Sequence, residues 1–427
     1  MKNQDLDSWL EYLNSFKIFK TEILQDKLRS LYKKIIKLSP STKVIIVGGT
    51  NGKGSTVEFL TQLLVLNNKR VGTFTSPHLF SFNERIRVNG NPVSDQTIIN
   101  AFELIEKKRS NLGLTYFDFS TLAALYIFSE LNLDAVVLEI GLGGRLDPVN
   151  LVDPDVSVLT NVELDHQELL GNSREKIGKE KSAIFRNKKI VILGQHDLPE
   201  SVLEETKKLK NKVFKIGKDF DYLVNDSFKE WSYVLEIENK KKLINNLPLR
   251  NLSVSSLSCA LTAFYSLGLK SRVEIEKVLS KTHLKGRCEQ IDNRFLFDVS
   301  HNASSAKFLA SYLKRNFKKD IKISAVLGVM KDKDAHSIIK PFCSSVSSWY
   351  LTAPDTKRAM KTRELRKYVL ANYSSMNSVS VQELDRIEEA CIKAHQETPK
   401  DGLILVFGSF NTVVEAFSAI NPIKSVA

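Results

Sequence analysis

Short apolar segments alternate with longer helix-forming segments through most of this chain, and this alternation constrains the fold more than any other feature. The apolar segments of the first half are KVIIVGG, RVGTFT, DAVVLEI, VSVLTNV and KKIVIL. Helix-forming segments such as STVEFLTQLLVLNN and DFSTLAALYIFSEL lie between them. Apolar strands connected through helices favour a mostly parallel sheet with helices on both faces. The sequence therefore predicts an α/β protein, preceded by a helical segment over residues 1–40.

A second series of strand and helix patterns begins near residue 285. Its predicted strands are RFLFDVS, IKISAVLGV, SSWYLTA and GLILVFGS. Just before it, residues 220–247 alternate like a small antiparallel ribbon, and residues 251–282 are typical of a helical pair. A chain of 427 residues is long enough for two domains. We therefore expect one domain over residues 1–285 and a smaller α/β domain over residues 286–427.

The composition limits the classes of partner. The formal net charge of +13 indicates either a polyanionic partner or lysines spread over solvated surfaces. Lysine-rich runs such as KKLKNK lack the interleaved aromatic residues of a base-stacking surface, which favours the second interpretation. The four cysteines form no C-x-x-C pair, and no segment has the length of a membrane span or the pattern of a signal peptide. We expect a cytoplasmic protein without nucleic-acid or membrane partners.

The segment VIIVGGTNGKGST, residues 44–56, connects a predicted strand to a predicted helix through a glycine-rich turn. It departs from the usual phosphate-loop spacing, because Gly54 stands after Lys53 where that pattern has a hydroxyl residue. Such a turn still offers backbone N–H groups and the positive end of a helix to a phosphate. We expect Lys53 to reach the outer phosphates and Ser55 to hold a magnesium ion. A turn that serves packing alone is the alternative.

Polar residues follow three of the predicted strands. Ser76 ends the second strand, Glu139 ends DAVVLEI before a glycine-rich turn, and Asp165 and His166 follow VSVLTNV. The carboxyl ends of parallel strands share one edge of a sheet, which is where α/β proteins bind ligands. Magnesium prefers oxygen ligands. The pattern predicts a magnesium–nucleotide site at this edge, against the alternatives of solvated strand ends and a structural histidine.

Longer motifs resemble those of folylpolyglutamate synthases, in the same order and spacing. They are GGTNGKGS, TSPHLFSFNERIRVNG, LEIGLGGRLDPVN, LDHQELLG and GKEKSAIF, followed by GRCEQI, LFDVSHN, AVLGVMKDKD and LVFGSFNTV. Over nearly its whole length the sequence is similar to the bacterial bifunctional dihydrofolate synthase/folylpolyglutamate synthases of the Mur ligase superfamily. The resemblance implies a two-domain Mur-ligase-like fold, with a phosphate-loop domain built on a mostly parallel sheet and a smaller, Rossmann-like C-terminal domain. It also identifies the loop as the family's own variant, in which Gly54 precedes the hydroxyl residue.

The resemblance implies which residues form the active site. For ATP it implies Thr50, Asn51, Gly52, Lys53, Gly54 and Ser55, together with Arg287, Asp298 and His301 of the second domain. For two magnesium ions it implies Ser55, Ser76, Glu139 and His166, and for the pterin substrate Thr115, Phe117 and Asp147. The catalytic residues would be Lys53, Glu139, His166 and Lys181. Lys181 falls where the family has a carbamoylated lysine, whereas its sequence context alone favours a solvated helix lysine.

Three positions depart from the family pattern. Residues 21–25 read TEILQ where the family often has I-D-L-G-L, which leaves pterin contacts from this segment open. The family's ATP-contacting asparagine falls at Ser256 by register, and the nearest asparagine is Asn251. Pro148 stands where alanine is common.

The implied activity is an ATP-dependent amide ligation through an acyl phosphate. L-Glutamate would be added to dihydropteroate, and to the γ-carboxylate of tetrahydrofolate and its polyglutamates, by a monomeric enzyme. The segment LTYFDFSTL favours this bifunctional type. Two alternatives stay open, namely a folylpolyglutamate synthase that does not use dihydropteroate and, from the net charge, a nucleic-acid-stimulated phosphate-loop ATPase.

Overall fold

The chain forms two compact units, Met1–His283 and Leu284–Ala427. The computed structural model describes residues 5–16, 22–237, 240–373 and 379–424. Within these residues, none of the helices is long and apolar enough to cross a membrane.

The first unit is built on an eight-stranded sheet with its first strand near the middle. The strands are β1 (Lys43–Gly48), β2 (Val71–Phe74), β3 (Ile86–Val88), β4 (Asn91–Pro92), β5 (Ala135–Glu139), β6 (Val156–Leu159), β7 (Ile190–Leu193) and β8 (Lys212–Lys215), in the order β4-β3-β2-β5-β1-β6-β7-β8. Only β3 and β4 are antiparallel to their neighbours. Val47 of β1 pairs with Glu139 of β5, and Gly48 pairs with Leu159 of β6. The carboxyl ends of β5, β1 and β6 therefore lie side by side, as the predicted site requires.

Ten α-helices are described in this unit. They are α1 (Leu6–Asn14), α2 (Glu22–Ile35), α3 (Lys53–Leu66), α4 (Asp95–Arg109), α5 (Tyr116–Ser129), α6 (Gln167–Leu170), α7 (Arg174–Ser182), α8 (Glu200–Lys208), α9 (Val254–Ser266) and α10 (Ile275–Lys281). Short 3-10 helices span Phe82–Arg85 and Pro148–Leu151. Trp9 of α1 lies 5.8 Å from Phe102 of α4, whose ring lies 6.1 Å from Phe119 of α5. These aromatic contacts fix the N-terminal helix, which the sequence also predicted, to the core beneath α5.

A separate antiparallel sheet follows β8, in the segment predicted to form a ribbon. Its strands are β9 (Phe220–Val224), β10 (Glu230–Ile237) and β11 (Lys240–Pro248), with β10 in the middle. Trp231, Tyr233 and Leu235 alternate along β10 and are all buried. The hydroxyl of Tyr233 lies 2.8 Å from that of Thr262 on α9. This contact secures the ribbon to the helix that also packs against the glycine-rich loop.

The second unit has a six-stranded sheet in which only the first strand is antiparallel. The strands are β12 (Glu289–Ile291), β13 (Phe295–Asp298), β14 (Ile323–Leu327), β15 (Val346–Leu351), β16 (Ser380–Glu383) and β17 (Leu403–Phe407), in the order β12-β13-β17-β14-β15-β16. The α-helices are α11 (Ala303–Asn316), α12 (Ala335–Ile339), α13 (Thr362–Asn372), α14 (Ile387–Glu397) and α15 (Phe410–Lys424), with a 3-10 helix at Lys340–Phe342. The buried central strands β13, β14 and β17 are those that the apolar runs predicted. The predicted α/β class is confirmed.

Candidate functional site

The loop between β1 and α3 requires glycine at Gly52. The residue has φ +81°, in the left-handed region, and an added Cβ would lie 2.3 Å from Oγ of Ser256. A larger side chain would therefore be strained in the backbone and would also collide with α9. Thr56 Oγ1 donates to the Ser256 carbonyl at 3.2 Å, which draws α3 and α9 together. The structure thus places Ser256 directly against the loop. Asn251 precedes α9 and lies outside the helix.

Two residues that the sequence analysis missed hold the loop in place. Oδ1 of Asn161 accepts hydrogen bonds from the N–H groups of Thr50 (3.1 Å) and Asn51 (2.8 Å). Oγ1 of Thr160 donates to the Asn51 carbonyl at 2.7 Å. With those two N–H groups bonded to Asn161, the donors best placed for a phosphate are those at the start of α3. The available signal was the position of Thr160 and Asn161, two polar residues directly after β6, the strand beside β1.

Two lysines converge on one carbonyl of the loop. Nζ of Lys53 donates to the Gly49 carbonyl at 3.0 Å and to the Thr50 carbonyl at 3.2 Å. Nζ of Lys181, on α7, donates to the same Gly49 carbonyl at 3.0 Å. Two ammonium groups that share an acceptor repel each other, and an anion placed between them would relieve this repulsion.

Lys181 is buried, contrary to the solvated position that its sequence context favours. Only 4% of the residue is exposed. Burial, reinforced by the charge of Lys53, lowers the pKa of Lys181 to about 7, while Asp165 and Asp147 act in the opposite direction. Close to neutral pH, a large fraction of the side chain is therefore the neutral amine, which is the nucleophilic form of lysine.

Glu139, Ser76 and the start of α3 meet at the carboxyl end of β5. Glu139 is 5% exposed, and its Oε2 accepts a hydrogen bond from the Ser76 N–H at 3.2 Å. A Cβ added at Gly54 would lie 3.8 and 3.9 Å from its two carboxylate oxygens. Ser55, the next residue, is buried at the same helix end. The structure thus places a carboxylate and two serines in one neighbourhood.

His166 lies on the other side of β1, after β6. It is the N-cap residue of α6 with φ +50°, and its side chain is 37% exposed. Its Nε2 lies 4.0 Å from Oδ1 of Asp165. Among the described residues, no group of three or more His, Cys, Asp or Glu side chains could hold a metal ion. The oxygen-rich set around Glu139 nevertheless suits magnesium, which is usually held by one or two carboxylates together with phosphates and water.

The residues predicted to bind the pterin have clear structural roles. Thr115 is the N-cap of α5, where its hydroxyl donates to Asp118 at 2.7 Å and accepts from the Asp118 N–H at 3.1 Å. The ring of Phe117 packs against Gly141, where an added Cβ would lie 2.5 Å from the ring, and it lies 5.8 Å from the ring of Phe74. Phe117 is therefore a half-buried aromatic surface beside the turn that follows Glu139.

Asp147 organises that same turn. Its Oδ2 accepts from the N–H groups of Gly141 and Leu142 at 3.0 Å, and its Oδ1 accepts from the Val149 N–H at 2.9 Å. The side chain of Gln25, in the first turn of α2, donates to the Asp147 carbonyl at 3.3 Å. The described part of the TEILQ segment therefore contacts the turn next to Phe117, while Thr21 lies outside the described residues.

Asp147→Asn is expected to lower the thermal unfolding midpoint. The amide would direct an N–H₂ group at one of the three backbone donors, and leaving a buried donor unsatisfied costs about 1–3 kcal/mol. Asp153→Asn is the matched control, because the Asp153 side chain is 73% exposed in a surface ion pair. An unchanged midpoint with a raised KM for the acceptor would assign the Asp147 carboxylate to substrate contact alone.

In the second unit, Asp298 ends β13 and is 2% exposed. Its Oδ2 accepts from the Cys288 N–H at 2.8 Å and from the Cys288 thiol at 3.4 Å. Its Oδ1 accepts from the N–H of Ser300 at 2.8 Å and from the Ser300 hydroxyl. Asp298 therefore links the segment that carries Arg287 to the segment that carries His301. The sequence did not indicate that Cys288 and Ser300 are hydrogen-bond partners of Asp298.

Phe410 connects the other two predicted residues of this unit. The Arg287 guanidinium carbon lies 5.6 Å from the centre of the Phe410 ring, and the His301 ring lies 6.1 Å from it. Nδ1 of His301 lies 2.9 Å from the Val299 carbonyl. The structure thus gathers Arg287, Asp298 and His301 around the ends of β13 and β17. Phe410 begins α15, and its position directly after the FGS turn was the available signal.

The chain matches two family models in succession. Residues 47–244 match the Mur ligase middle domain, and residues 286–410 match the Mur ligase glutamate ligase domain.

Individual relatives match over nearly their full length. The dihydrofolate synthase/folylpolyglutamate synthase of Buchnera aphidicola subsp. Schizaphis graminum is 35% identical over 98% of this chain and 97% of its own. The structure of Escherichia coli FolC in complex with DHPP and ADP superimposes with a TM-score of 0.89, at 31% identity over 99% of each chain. The bifunctional enzyme of Yersinia pestis, complexed with AMPPNP and Mn ion, gives a TM-score of 0.88 at 30% identity over 98% of each chain.

Proposed function

Because the chain belongs to the Mur ligases, in the family of bacterial dihydrofolate synthase/folylpolyglutamate synthases, we propose the following reaction for it. The enzyme uses ATP to join L-glutamate to dihydropteroate, and to the γ-carboxylate of tetrahydrofolate and its polyglutamates. The observation that carries this proposal is the convergence of Lys53 and Lys181 on the Gly49 carbonyl, near the buried carboxylate of Glu139. The Lys53 cation, a second lysine amine and a buried carboxylate around one loop suit a site that brings phosphate and carboxylate groups together.

ATP binds with its phosphates at the start of α3. The N–H groups of the first helical turn and the ammonium group of Lys53 face the phosphates, with Lys53 turning away from the Gly49 carbonyl toward the outer ones. Ser55, Ser76, Glu139 and His166 hold magnesium, which neutralises phosphate charge when it is bound. The related structures with ADP and with AMPPNP and Mn ion support a nucleotide and a divalent ion here.

The acceptor lies with its pterin beside Phe117. Its carboxylate takes the γ-phosphoryl group to give an acyl phosphate, and the amino group of glutamate then displaces phosphate to form the amide. Carboxylate and γ-phosphate repel each other, so the site must supply positive charge on both sides of the bond that forms. Bringing the reactants together also supplies a large part of the rate enhancement.

Lys181 acts in this site as a carbamate. Its neutral amine combines with CO₂ to give a carbamate anion and one proton, so an uncharged group becomes a buried anion. The new anion lies next to the Lys53 cation and attracts it, whereas the protonated form of Lys181 would repel it. The low pKa and the position of the amine support this assignment.

As the family resemblance implies, Arg287, Asp298, His301 and Ser256 are further proposed contacts of ATP. We assign phosphate and pterin binding to residues 1–285 and glutamate ligation to residues 286–427. The match of residues 286–410 to the Mur ligase glutamate ligase domain supports this division. The enzyme works as a monomer in the cytoplasm.

A folylpolyglutamate synthase that does not use dihydropteroate is the second candidate. The observation that favours it is the altered segment at residues 21–25, since Gln25 contacts the turn beside Phe117. A change in that contact alters the surface on which a pterin would lie.

Glutamate-dependent phosphate release tests these functions. Purified protein with ATP and magnesium is expected to release phosphate with dihydropteroate and with tetrahydrofolate as acceptor, and only when glutamate is present. Release with tetrahydrofolate alone would establish the second candidate. Release with neither acceptor would refute both, and stimulation of ATP hydrolysis by nucleic acid, with a steep salt dependence, would then be measured.

A further inference from the structure

Arg85 is a buried arginine for which the reaction described above has no role. It ends the 3-10 helix Phe82–Arg85, which follows β2, and only 8% of it is exposed. Its guanidinium carbon lies 5.7 Å from the centre of the Phe82 ring and 5.5 Å from that of the Tyr116 ring. The guanidinium group is thus held between two aromatic side chains, a favourable position for a partly desolvated cation.

The hydrogen bonds of Arg85 are incomplete. Nε donates to Nδ1 of His78 at 2.8 Å. Within the described part of the chain, the terminal nitrogens Nη1 and Nη2 have no hydrogen-bond or ion-pair partner. The carboxylate of the adjacent Glu84 is instead directed at the backbone and accepts from the N–H groups at residues 79–81. A buried guanidinium without a bonded anion is costly, which indicates that an anion binds there during function.

Arg109 in the same unit also packs against aromatic rings, but each of its three guanidinium nitrogens donates a hydrogen bond. It also lies over two aromatic rings, 5.4 Å from Phe16 and 5.8 Å from Phe119. Its Nε and Nη2 donate to Glu106 at 2.8 Å, and its Nη1 donates to the Leu112 carbonyl at 2.8 Å. Aromatic packing of an arginine therefore does not by itself leave terminal nitrogens unbonded in this fold.

The neighbours of Arg85 identify the anion. Tyr116 and Glu139 lie close enough to act on the guanidinium electrostatically. Tyr116 stands between Thr115 and Phe117, on the side proposed for the pterin, and Glu139 belongs to the proposed magnesium set. The group of the acceptor that lies between its pterin and the γ-phosphate is the carboxylate that becomes phosphorylated.

We propose that Nη1 and Nη2 of Arg85 bind the acceptor carboxylate that is to be activated, and hold it for attack on the γ-phosphate. This inference rests on the proposed function. Two parallel N–H donors match the two oxygens of a carboxylate and reduce its repulsion from the phosphate. His78 is a positioning residue, since its bond to Nε directs the two terminal nitrogens away from the histidine.

The test compares two ligands with three proteins. Dissociation constants are measured for dihydropteroate and for the analogue that lacks the benzoate carboxylate, using the intact chain, Arg85→Gln and the matched control Arg109→Gln. The intact chain and Arg109→Gln are expected to bind dihydropteroate about 10- to 100-fold more tightly than the analogue. Arg85→Gln is expected to bind the two ligands about equally. Retained discrimination in Arg85→Gln would overturn the proposal.

Steady-state kinetics separate this inference from the function on which it rests. Arg85→Lys, which keeps the charge but not the paired donors, is expected to raise KM for both acceptors and leave KM for glutamate unchanged. A raised KM for glutamate alone would assign the guanidinium to glutamate and overturn the proposal. If either arginine variant fails to fold, equal binding of dihydropteroate and the analogue by the intact chain refutes the inference. Absence of glutamate-dependent phosphate release from the intact chain would instead refute the proposed function.

Discussion

Lys53→Ala is expected to lower glutamate-dependent phosphate release by about 10²- to 10³-fold, the usual effect of removing one group that stabilises charge in a transition state. Lys53 donates to two carbonyls of its own loop, those of Gly49 and Thr50. Removing the lysine is expected to cost on the order of 1–3 kcal/mol per hydrogen bond, less than the stability of a typical domain, and the variant should stay folded. The expected outcome is a folded protein with little turnover. The measurement is phosphate release at saturating ATP, together with the unfolding midpoint.

Lys69→Ala is the control for this variant. Lys69 follows the same helix at its other end, is 37% exposed and forms a 3.7 Å ion pair with Asp134. Its removal should leave turnover unchanged, because exposed ion pairs contribute little and the residue is far from the start of α3. Normal turnover in Lys53→Ala would refute the assignment of residues 44–56 as the phosphate-binding loop.

The interior of both sheets could be predicted from the sequence because buried parallel strands are continuous apolar runs. The edge strands β8, β12 and β16 could not, since their segments KVFK, EQI and SVQE are short and half polar. Such strands form because a neighbouring strand offers its backbone, and that neighbour is not visible in the local sequence. The phosphate loop, by contrast, could be predicted because its glycines and lysine lie together in one short segment of the sequence.

The candidate site was predictable only where a local motif carries it. The sequence around Lys181, REKIGKEKS, contains three lysines and gives no sign that only the last one is buried. Its hydrogen-bond partner is the Gly49 carbonyl, 132 positions earlier in the chain. Arg85 is hidden in the same way within NERIR, because its aromatic neighbour Tyr116 comes from a different element. Long-range contacts of this kind need the fold before they can be recognised.

The free energy of unfolding should depend on pH because Lys181 is buried. The unfolded chain keeps the ordinary pKa of 10.5, whereas burial lowers that of the folded state to about 7. Between these values the unfolded state binds more protons, so the free energy of unfolding rises with pH from about 7 to 10.5 in protein free of CO₂. Below pH 7 both states are protonated and the cost of burying the charge is fully present. Lys181→Met should remove this increment.

Lys181→Ala is expected to lower turnover by about 10²- to 10³-fold, as for the loss of another charged group beside the reacting phosphate. Short carboxylic acids such as acetate should restore part of it, because a carboxylate in the vacated volume replaces the carbamate anion. In the intact chain, turnover should rise with bicarbonate and as pH increases through about 7, since only the neutral amine combines with CO₂. The measurement is phosphate release against acetate concentration, bicarbonate concentration and pH.

Lys179→Ala separates the carbamate from a general effect of charge on α7. Lys179 lies two residues away on the same helix and is exposed, so its removal takes a positive charge from α7 without altering the buried site. The Lys179→Ala variant should have normal turnover, and its turnover should rise with bicarbonate as in the intact chain. If Lys181→Ala were fully active, or inactive without any response to carboxylic acids, the carbamate would be excluded. Full activity would mean that Lys181 has no role in turnover. Inactivity without rescue would make Lys181 a direct phosphate ligand beside Lys53, which shares the Gly49 carbonyl with it.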